Sequence, residues 1–266
     1  MIDPVSPPDP ELVTRLRAAG CVFAEDEALL LRAAAAGDAA ELERLVALRV
    51  AGAPLEPLLG WVEFAGLRLH VAPGVFVPRH RTELLAERAA QEAAARPGAT
   101  VLDLCCGVGA IGAVVLRRVP DVRLFAADVE PAAVRCARAN LEPAGHVVEG
   151  DLFSPLPRAL RRRFDVIAVN APYVPTSEIA HLPPEARDHE PAVALDGGGD
   201  GLDVHRRIAA EAGAWLAPGG VLLIEASDGQ APVSAALFAA TGFAVTIEQD
   251  DERGSTVVIV RAAASS

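Results

Sequence analysis

Positive charge is scarce in this 266-residue chain: 24 Lys and Arg stand against 36 Asp and Glu, a formal net charge of -12 at pH 7. Phosphate backbones are held by surplus cationic side chains, so duplex nucleic acid is disfavoured as a partner. The one local basic run, Arg158, Arg161, Arg162 and Arg163, reads as a solvated helix end rather than a polyanion site. Cysteine is also sparse. Cys21, Cys105, Cys106 and Cys136 contain no Cys-x-x-Cys spacing and have no accompanying histidine cluster, so they read as small buried hydrophobes in a reducing, cytoplasmic setting. His181, His189 and His205 share no metal-type spacing; they read as surface or loop residues, and no metal is expected. No segment approaches the ~20 apolar residues of a membrane span. Met1-Ile2-Asp3-Pro4 lacks the basic start and apolar stretch of a secretion signal.

What the chain does have is apolar bulk. Hydrophobic residues make up 52% and charged residues 23%, enough for a substantial core and incompatible with wholesale disorder. Residues 9 to 50 read as three short helices, Pro10 to Ala19, Glu25 to Ala36 and Asp38 to Val50, with Asp38 as an N-cap and Gly37 as a stop. Trp61 to Val71 alternates around a central glycine, which predicts a β-hairpin. From Thr82 onward helices and strands alternate. A helix at Thr82 to Ala95 precedes strands at Val101 to Leu104, Arg123 to Ala127, His146 to Glu149, Phe164 to Val169 and Val221 to Glu225. Helices are expected between most of them, at Ala110 to Arg118, Pro131 to Leu141 and Asp203 to Leu216. A helix near Ala231 to Ala240 and strands Phe243 to Gln249 and Thr256 to Arg261 close the chain. Such alternation implies an α/β fold with a mostly parallel sheet, helices on both faces and an antiparallel C-terminal edge. The expected division is an N-terminal helical domain over 1–60, a hairpin linker over 61–77 and the α/β domain over 78–266.

The first strand of the α/β domain runs into Cys105-Cys106-Gly107-Val108-Gly109-Ala110-Ile111-Gly112 and then a helix. Gly107, Gly109 and Gly112 satisfy G-x-G-x-x-G in its strand-to-helix setting, where glycines allow a tight turn and close approach of a nucleotide-type cofactor. Asp128 ends the second strand, placed to accept both ribose hydroxyls; it is equally a helix cap before Pro131 until the glycine loop is considered with it. After the third strand, Gly150-Asp151-Leu152-Phe153 offers a carboxylate for an adenine amino group and an apolar cover for the ring. A nicotinamide dinucleotide needs room for a pyrophosphate. S-adenosylmethionine has no phosphate and carries a sulfonium, which suits an acidic, apolar cleft, and it is the preferred cofactor.

Asn170-Ala171-Pro172-Tyr173 follows the fourth strand. By itself it is an Asn-x-Pro turn. Behind the glycine loop it also forms a clamp in which an amide side chain, a stiffened turn and an aromatic ring can orient a planar nitrogen for methyl transfer.

In this order, Asp-Leu-x-x-Gly-x-Gly, the acid after the second strand, Gly-Asp-Leu-Phe and Asn-x-Pro-Tyr resemble a Rossmann-like class I methyltransferase. Pro73 to Glu83, Leu58-Leu59-Gly60 with its hairpin, and His189 to Leu202 narrow the resemblance to the HemK/PrmC group, the protein-glutamine methyltransferases that modify peptide chain release factors. The likeness covers nearly the whole chain and is weakest before residue 50. It implies that Cys105, Cys106, Gly107, Val108 and Gly109 wrap the methionine part of S-adenosylmethionine. Asp128 would hold the ribose and Asp151 with Leu152 the adenine. Pro78, Arg79, Thr82 and Glu83 would wall the pocket, and Asn170, Ala171, Pro172 and Tyr173 would receive the target glutamine. Asn170, Pro172 and Tyr173 are the catalytic candidates, and the N-terminal helices would recognise the protein substrate. Two positions depart from the family pattern: Cys105 stands where many members have glycine, and Ala171 replaces the first proline of Asn-Pro-Pro-Tyr. Ala171 restores a backbone N–H and relaxes Asn170, while Pro172 still restricts Ala171. Other readings left open by the residues are a methyltransferase for another protein, a small molecule or a flipped adenine, and a non-catalytic release-factor-binding module.

Overall fold

The computed structural model describes residues 9–263; Met1 to Pro4, read above for a secretion signal, lie outside the described residues. The chain opens with four helices, α1 (Pro10–Ala18), α2 (Ala24–Ala34), α3 (Ala39–Val50) and α4 (Leu55–Leu59). Asp9 caps α1 by accepting the Glu11 N–H, and Asp38 caps α3 by accepting those of Ala40 and Glu41, which satisfies amide groups a helix start otherwise leaves free. Leu12, Leu16, Leu31, Leu45 and Val46 form the cluster these helices enclose. The five-residue α4 departs from the sequence expectation, because Pro54 and Pro57 read as breakers; Pro57 sits within its first turn, where proline is tolerated.

Strands β1 (Trp61–Phe64) and β2 (Leu67–His70) pair antiparallel in the expected hairpin. It is docked firmly. The His70 N–H donates to Asn140 Oδ1 at 2.8 Å and Asn140 Nδ2 donates back to the His70 carbonyl at 2.9 Å, while Ala65 N–H donates to Glu83 at 3.0 Å. Val62, Phe64, Leu69 and Val71 belong to the same apolar cluster as the sheet beyond.

A 3-10 turn over His80–Thr82 leads into α5 (Glu83–Ala94), so Thr82 precedes the helix it was expected to begin. The chain then alternates through β3 (Thr100–Leu104), α6 (Ala110–Arg118), β4 (Arg123–Asp128), α7 (Pro131–Leu141), β5 (Gly145–Glu149) and β6 (Phe164–Val169). Two short helices follow, α8 (Pro184–His189) and α9 (Ala192–Leu195), then α10 (Asp203–Glu211), β7 (Leu216–Glu225), α11 (Ala231–Ala240), β8 (Ala244–Asp250) and β9 (Ser255–Arg261). The sheet order is β5-β4-β3-β6-β7-β9-β8. Its first five strands are parallel, and β9 pairs antiparallel with both β7 and β8. This is the expected α/β architecture, with β9 inserted inside β8. β7 begins five residues earlier than its apolar run, because Phe164 pairs with Leu216 across a register irregularity.

The strand order reverses between β3 and β6, so their carboxyl ends diverge into a crevice, the usual ligand position in open α/β sheets. The arginines of the basic run are exposed before β6, Arg158 in a 3-10 turn over Arg158–Leu160 and Arg161 to Arg163 just after it. His205 corrects the sequence reading of a surface residue: it is 0% exposed, its Nδ1 2.8 Å from Ser234 Oγ, joining α10 to α11. Burial pushes its pKa down to about 4, aided by the charge of Arg206, so the ring is neutral near pH 7. No helix among the described residues is long and apolar enough to cross a membrane.

Candidate active site

The crevice holds a cavity of about 430 Å³. Of the residues predicted from sequence, Arg79, Cys105, Gly107, Asp128, Asp151, Leu152 and the whole of Asn170 to Tyr173 line it. Cys106, Val108, Gly109, Pro78, Thr82 and Glu83 do not. The first three belong to the glycine loop but are turned away from the cavity lining. The Val108 carbonyl accepts from Asn140 Nδ2 at 2.9 Å, and the Gly109 N–H closes a turn onto the Cys106 carbonyl at 2.7 Å. Thr82 stands behind Asn170 as a hydrogen-bond acceptor.

The three glycines of the loop play different parts. Gly107 has φ +55°, and a Cβ there would stand clear of every atom by 4 Å, so glycine leaves the cavity floor bare. At Gly109 a Cβ would lie 2.7 Å from Leu141 Cδ1, and at Gly112 3.0 Å from Leu124 Cδ2; these two serve close packing of α6. Cys105, where glycine would be comfortable, adopts φ +57°. Cys105→Gly should leave folding stability within about 1 kcal/mol, because relief of ~1–2 kcal/mol of left-handed strain is offset by roughly 0.5–1 kcal/mol of glycine chain entropy. Urea unfolding checks this; a loss above about 2 kcal/mol would assign the thiol a packing role.

Asp128 is fixed by two backbone donors, Gly107 N–H to Oδ2 at 2.8 Å and Glu130 N–H to Oδ1 at 2.9 Å. Burial raises its pKa above the usual carboxylate range and the N–H bonds from Glu130 and Gly107 oppose that rise. A carboxylate has about four lone-pair sites, so two remain for hydroxyl groups in the cavity. Three guanidinium groups line the wall, each with a carboxylate partner: Arg79 with Glu190 at 2.7 Å, Arg81 with Glu225 at 3.3 Å and Arg207 with Asp151 at 2.5 Å. A pyrophosphate needs uncommitted cationic or N–H donors, so this wall fits a phosphate-free nucleoside such as S-adenosylmethionine. Arg207 takes one Asp151 oxygen and leaves Oδ1 for an amino group.

The Asn170 to Tyr173 end of the cavity is assembled from distant segments. Asn170 leaves β6 with its Nδ2 donating to Thr82 Oγ1 at 3.2 Å, which leaves its carbonyl oxygen to accept. Ala171 is 2% exposed within the apolar cluster on that side of the sheet. The Tyr173 hydroxyl donates to Glu225 at 3.2 Å, and its carbonyl accepts from Gln230 Nε2 at 2.8 Å. Val174 N–H donates to the Leu195 carbonyl at 3.0 Å, and Gly197 N–H to that of Val174 at 2.8 Å. Gly201 is required here: with φ +79°, its Cβ would come within 2.2 Å of the Tyr173 carbonyl oxygen. The His189 to Leu202 segment thus props the Asn170 to Tyr173 turn. Sequence reasoning assigned no site role to Arg81, although it lies in the Pro73 to Glu83 segment, nor to Gln230, Arg207 or Glu225, which only the fold brings here.

It also gave no role in the site to Asp103, the first residue of Asp-Leu-x-x-Gly-x-Gly. This carboxyl is 0% exposed, accepts the Gly112 N–H at 2.8 Å through Oδ2, and has no partner at Oδ1 among the described residues. Burial pushes its pKa up to about 8, against the Gly112 bond and with help from Asp128. The folded state therefore holds this proton more tightly than the unfolded chain, whose Asp ionises near its ordinary 3.8. The favourable contribution is complete below about pH 4 and is lost as pH rises toward 8. The melting temperature difference between Asp103→Asn and the unmutated protein should accordingly move in favour of the variant across that window; a pH-independent difference would contradict the shift.

The family described as Methyltransferase small domain matches residues 66–182. A release factor glutamine methyltransferase of Geobacter sulfurreducens is 40% identical over 218 residues, covering 81% of this chain and 75% of the relative. A Streptomyces pristinaespiralis enzyme, 4-amino-L-phenylalanine/4-methylamino-L-phenylalanine methyltransferase, is 38% identical over 200 residues, 73% and 68% of the two chains. Among solved structures, a methyltransferase from Pyrococcus furiosus superposes with a TM-score of 0.54 at 18% identity, over 75% of this chain and 90% of the other.

Proposed function

This chain belongs to the release factor glutamine methyltransferase family, and from that premise we propose that it methylates the side-chain amide nitrogen of the glutamine in the Gly-Gly-Gln loop of a peptide chain release factor. The cofactor is S-adenosylmethionine, which supplies an electrophilic methyl on a sulfonium. The supporting observation is the orientation of Asn170, whose amide is pinned by Thr82 on the wall it shares with Asp128.

A glutamine amide nitrogen is a poor nucleophile because its lone pair is delocalised into the carbonyl. The Asn170 side-chain oxygen and the Pro172 carbonyl accept the two amide hydrogens and hold the nitrogen toward the methyl donor. Tyr173 packs on the planar amide. Catalysis in this reading is alignment and electrostatics. Asp128 holds the ribose, and Asp151 with Leu152 receives the adenine. The N-terminal helices recognise the protein substrate; Arg49 supports a fixed placement, since it pairs with Glu27 at 2.7 Å and reaches Glu185 on α8 at the cavity wall. A release factor substrate puts the enzyme in the cytoplasm.

The test is incubation with S-adenosylmethionine and release factors from the same cell, followed by mass spectrometric location of the added methyl. Modification of the Gly-Gly-Gln glutamine is expected. A second reading, N-methylation of a small aromatic amine, is favoured by the Streptomyces relative. Turnover of 4-amino-L-phenylalanine with an unmodified release factor would establish it in place of the first.

A further inference from the structure

Tyr173 is the one tyrosine in the chain, and its hydroxyl lies 3.2 Å from Glu225 Oε1. The same oxygen accepts from Arg81 Nε at 3.3 Å, and the Arg81 guanidinium carbon is 5.8 Å from the Tyr173 ring centroid. Glu225 ends β7, is 1% exposed and does not line the cavity, whereas Arg81 and Tyr173 do. Its second oxygen has no partner among the described residues. A buried carboxylate whose partners are a guanidinium and a phenol offers only lone pairs, which fixes the direction of the phenol bond. The Tyr173 proton points at Glu225, and the Tyr173 oxygen can then only accept from whatever else it meets. Burial together with the Glu225 charge raises the Tyr173 pKa above its ordinary value, so the proton stays on the phenol at neutral pH.

We propose that Glu225 and Arg81 are positioning residues of the acceptor site, which hold the Tyr173 ring, through its hydroxyl, against the planar target group. The proposal deepens the glutamine reading and rests on it. It joins the β7 end and the Arg79 to Thr82 segment in one role, with Thr82 orienting Asn170 at one end of the motif and Arg81, through Glu225, orienting Tyr173 at the other. Neither Glu225 nor any atom of the sheet behind it needs to touch the substrate.

The single tyrosine makes the contact directly observable. In protein labelled with tyrosine carrying ¹³C at Cζ, one phenol resonance reports on Tyr173 at pH 7.5 without any turnover. Glu225→Gln, which keeps shape and removes charge, should displace that resonance while circular dichroism stays native. An unmoved resonance in the folded variant would overturn the contact. In methyl transfer to the release factor, Glu225→Gln and Tyr173→Phe should each lower kcat about tenfold with S-adenosylmethionine affinity unchanged by calorimetry. The double variant should be no slower than Tyr173→Phe alone, because Glu225 acts through the hydroxyl that phenylalanine lacks. Multiplying losses, about hundredfold in the double variant, would assign Glu225 a structural role and reject the proposal. If the unmutated protein leaves the release factor unmodified, the glutamine reading falls, and the resonance alone decides whether Glu225 polarises Tyr173.

Discussion

Asn170→Ala is expected to slow methyl transfer by about 10²–10³-fold while S-adenosylmethionine affinity stays unchanged, the range seen when one preorganised polar contact is removed from a reacting group. The asymmetry follows from where the residue sits. Val169, just before it, pairs with Leu104 on β3 and Ile224 on β7, and Val174, just after the Asn170 to Tyr173 turn, is bonded to Leu195 and Gly197. The backbone is therefore held on both sides, and the substitution removes an acceptor without releasing the turn. Thr82 loses a donor at 3.2 Å but keeps its place in the turn before α5. Asn170→Asp separates the two roles of the side chain, because it retains acceptor oxygens and loses the Nδ2 donor to Thr82. Aspartate should recover part of the activity if accepting the substrate amide is the larger role. Single-turnover rates beside calorimetry decide the matter, and normal turnover in the alanine variant would move amide orientation to another group.

The parts of the site that could be read from sequence are those where the chemistry is local. A glycine loop after a buried strand, an acid at the end of the next, and an Asn-x-Pro turn after a fourth each carry their context within about ten residues, and the fold places all three around one crevice. What could not be read depends on distant partners. Glu225 lies 52 residues from Tyr173 and 144 from Arg81, and no periodicity connects them. Asp151 was visible as a candidate ligand, but the Arg207 that occupies one of its oxygens arrives from a helix 56 residues later. His205 shows the opposite failure, since a signal was present. His205, Ile208 and Ala209 are all buried on α10, an i, i+3, i+4 set that marks an inward face. A rule seeking metal spacing among histidines missed it. The short helices α8 and α9 escaped because they hold six and four residues, too few for a periodic signal.

Asp128→Ala should weaken S-adenosylmethionine binding by roughly 1.5–3 kcal/mol, the cost of losing hydrogen bonds to a charged group, or about 10–150-fold in Kd. Alanine also removes the acceptor of the Gly107 N–H, so part of any loss comes from slackening the glycine loop. Asp128→Asn distinguishes the two contributions, because its side-chain oxygen can still take one backbone N–H while the charge is gone. If ribose recognition dominates, asparagine should fall close to alanine; if loop support dominates, it should fall close to the unmutated protein. The pH dependence gives an independent reading. Burial holds the Asp128 pKa above the usual carboxylate range, and only the ionised form can accept from two hydroxyls while also receiving Gly107 and Glu130. Affinity should therefore decline as acidification protonates Asp128, at a pH above that of an ordinary aspartate, and the asparagine variant should lack that step. Calorimetry across pH on both proteins tests this directly: parallel curves would detach Asp128 from the cofactor and leave it as the fastening of the loop.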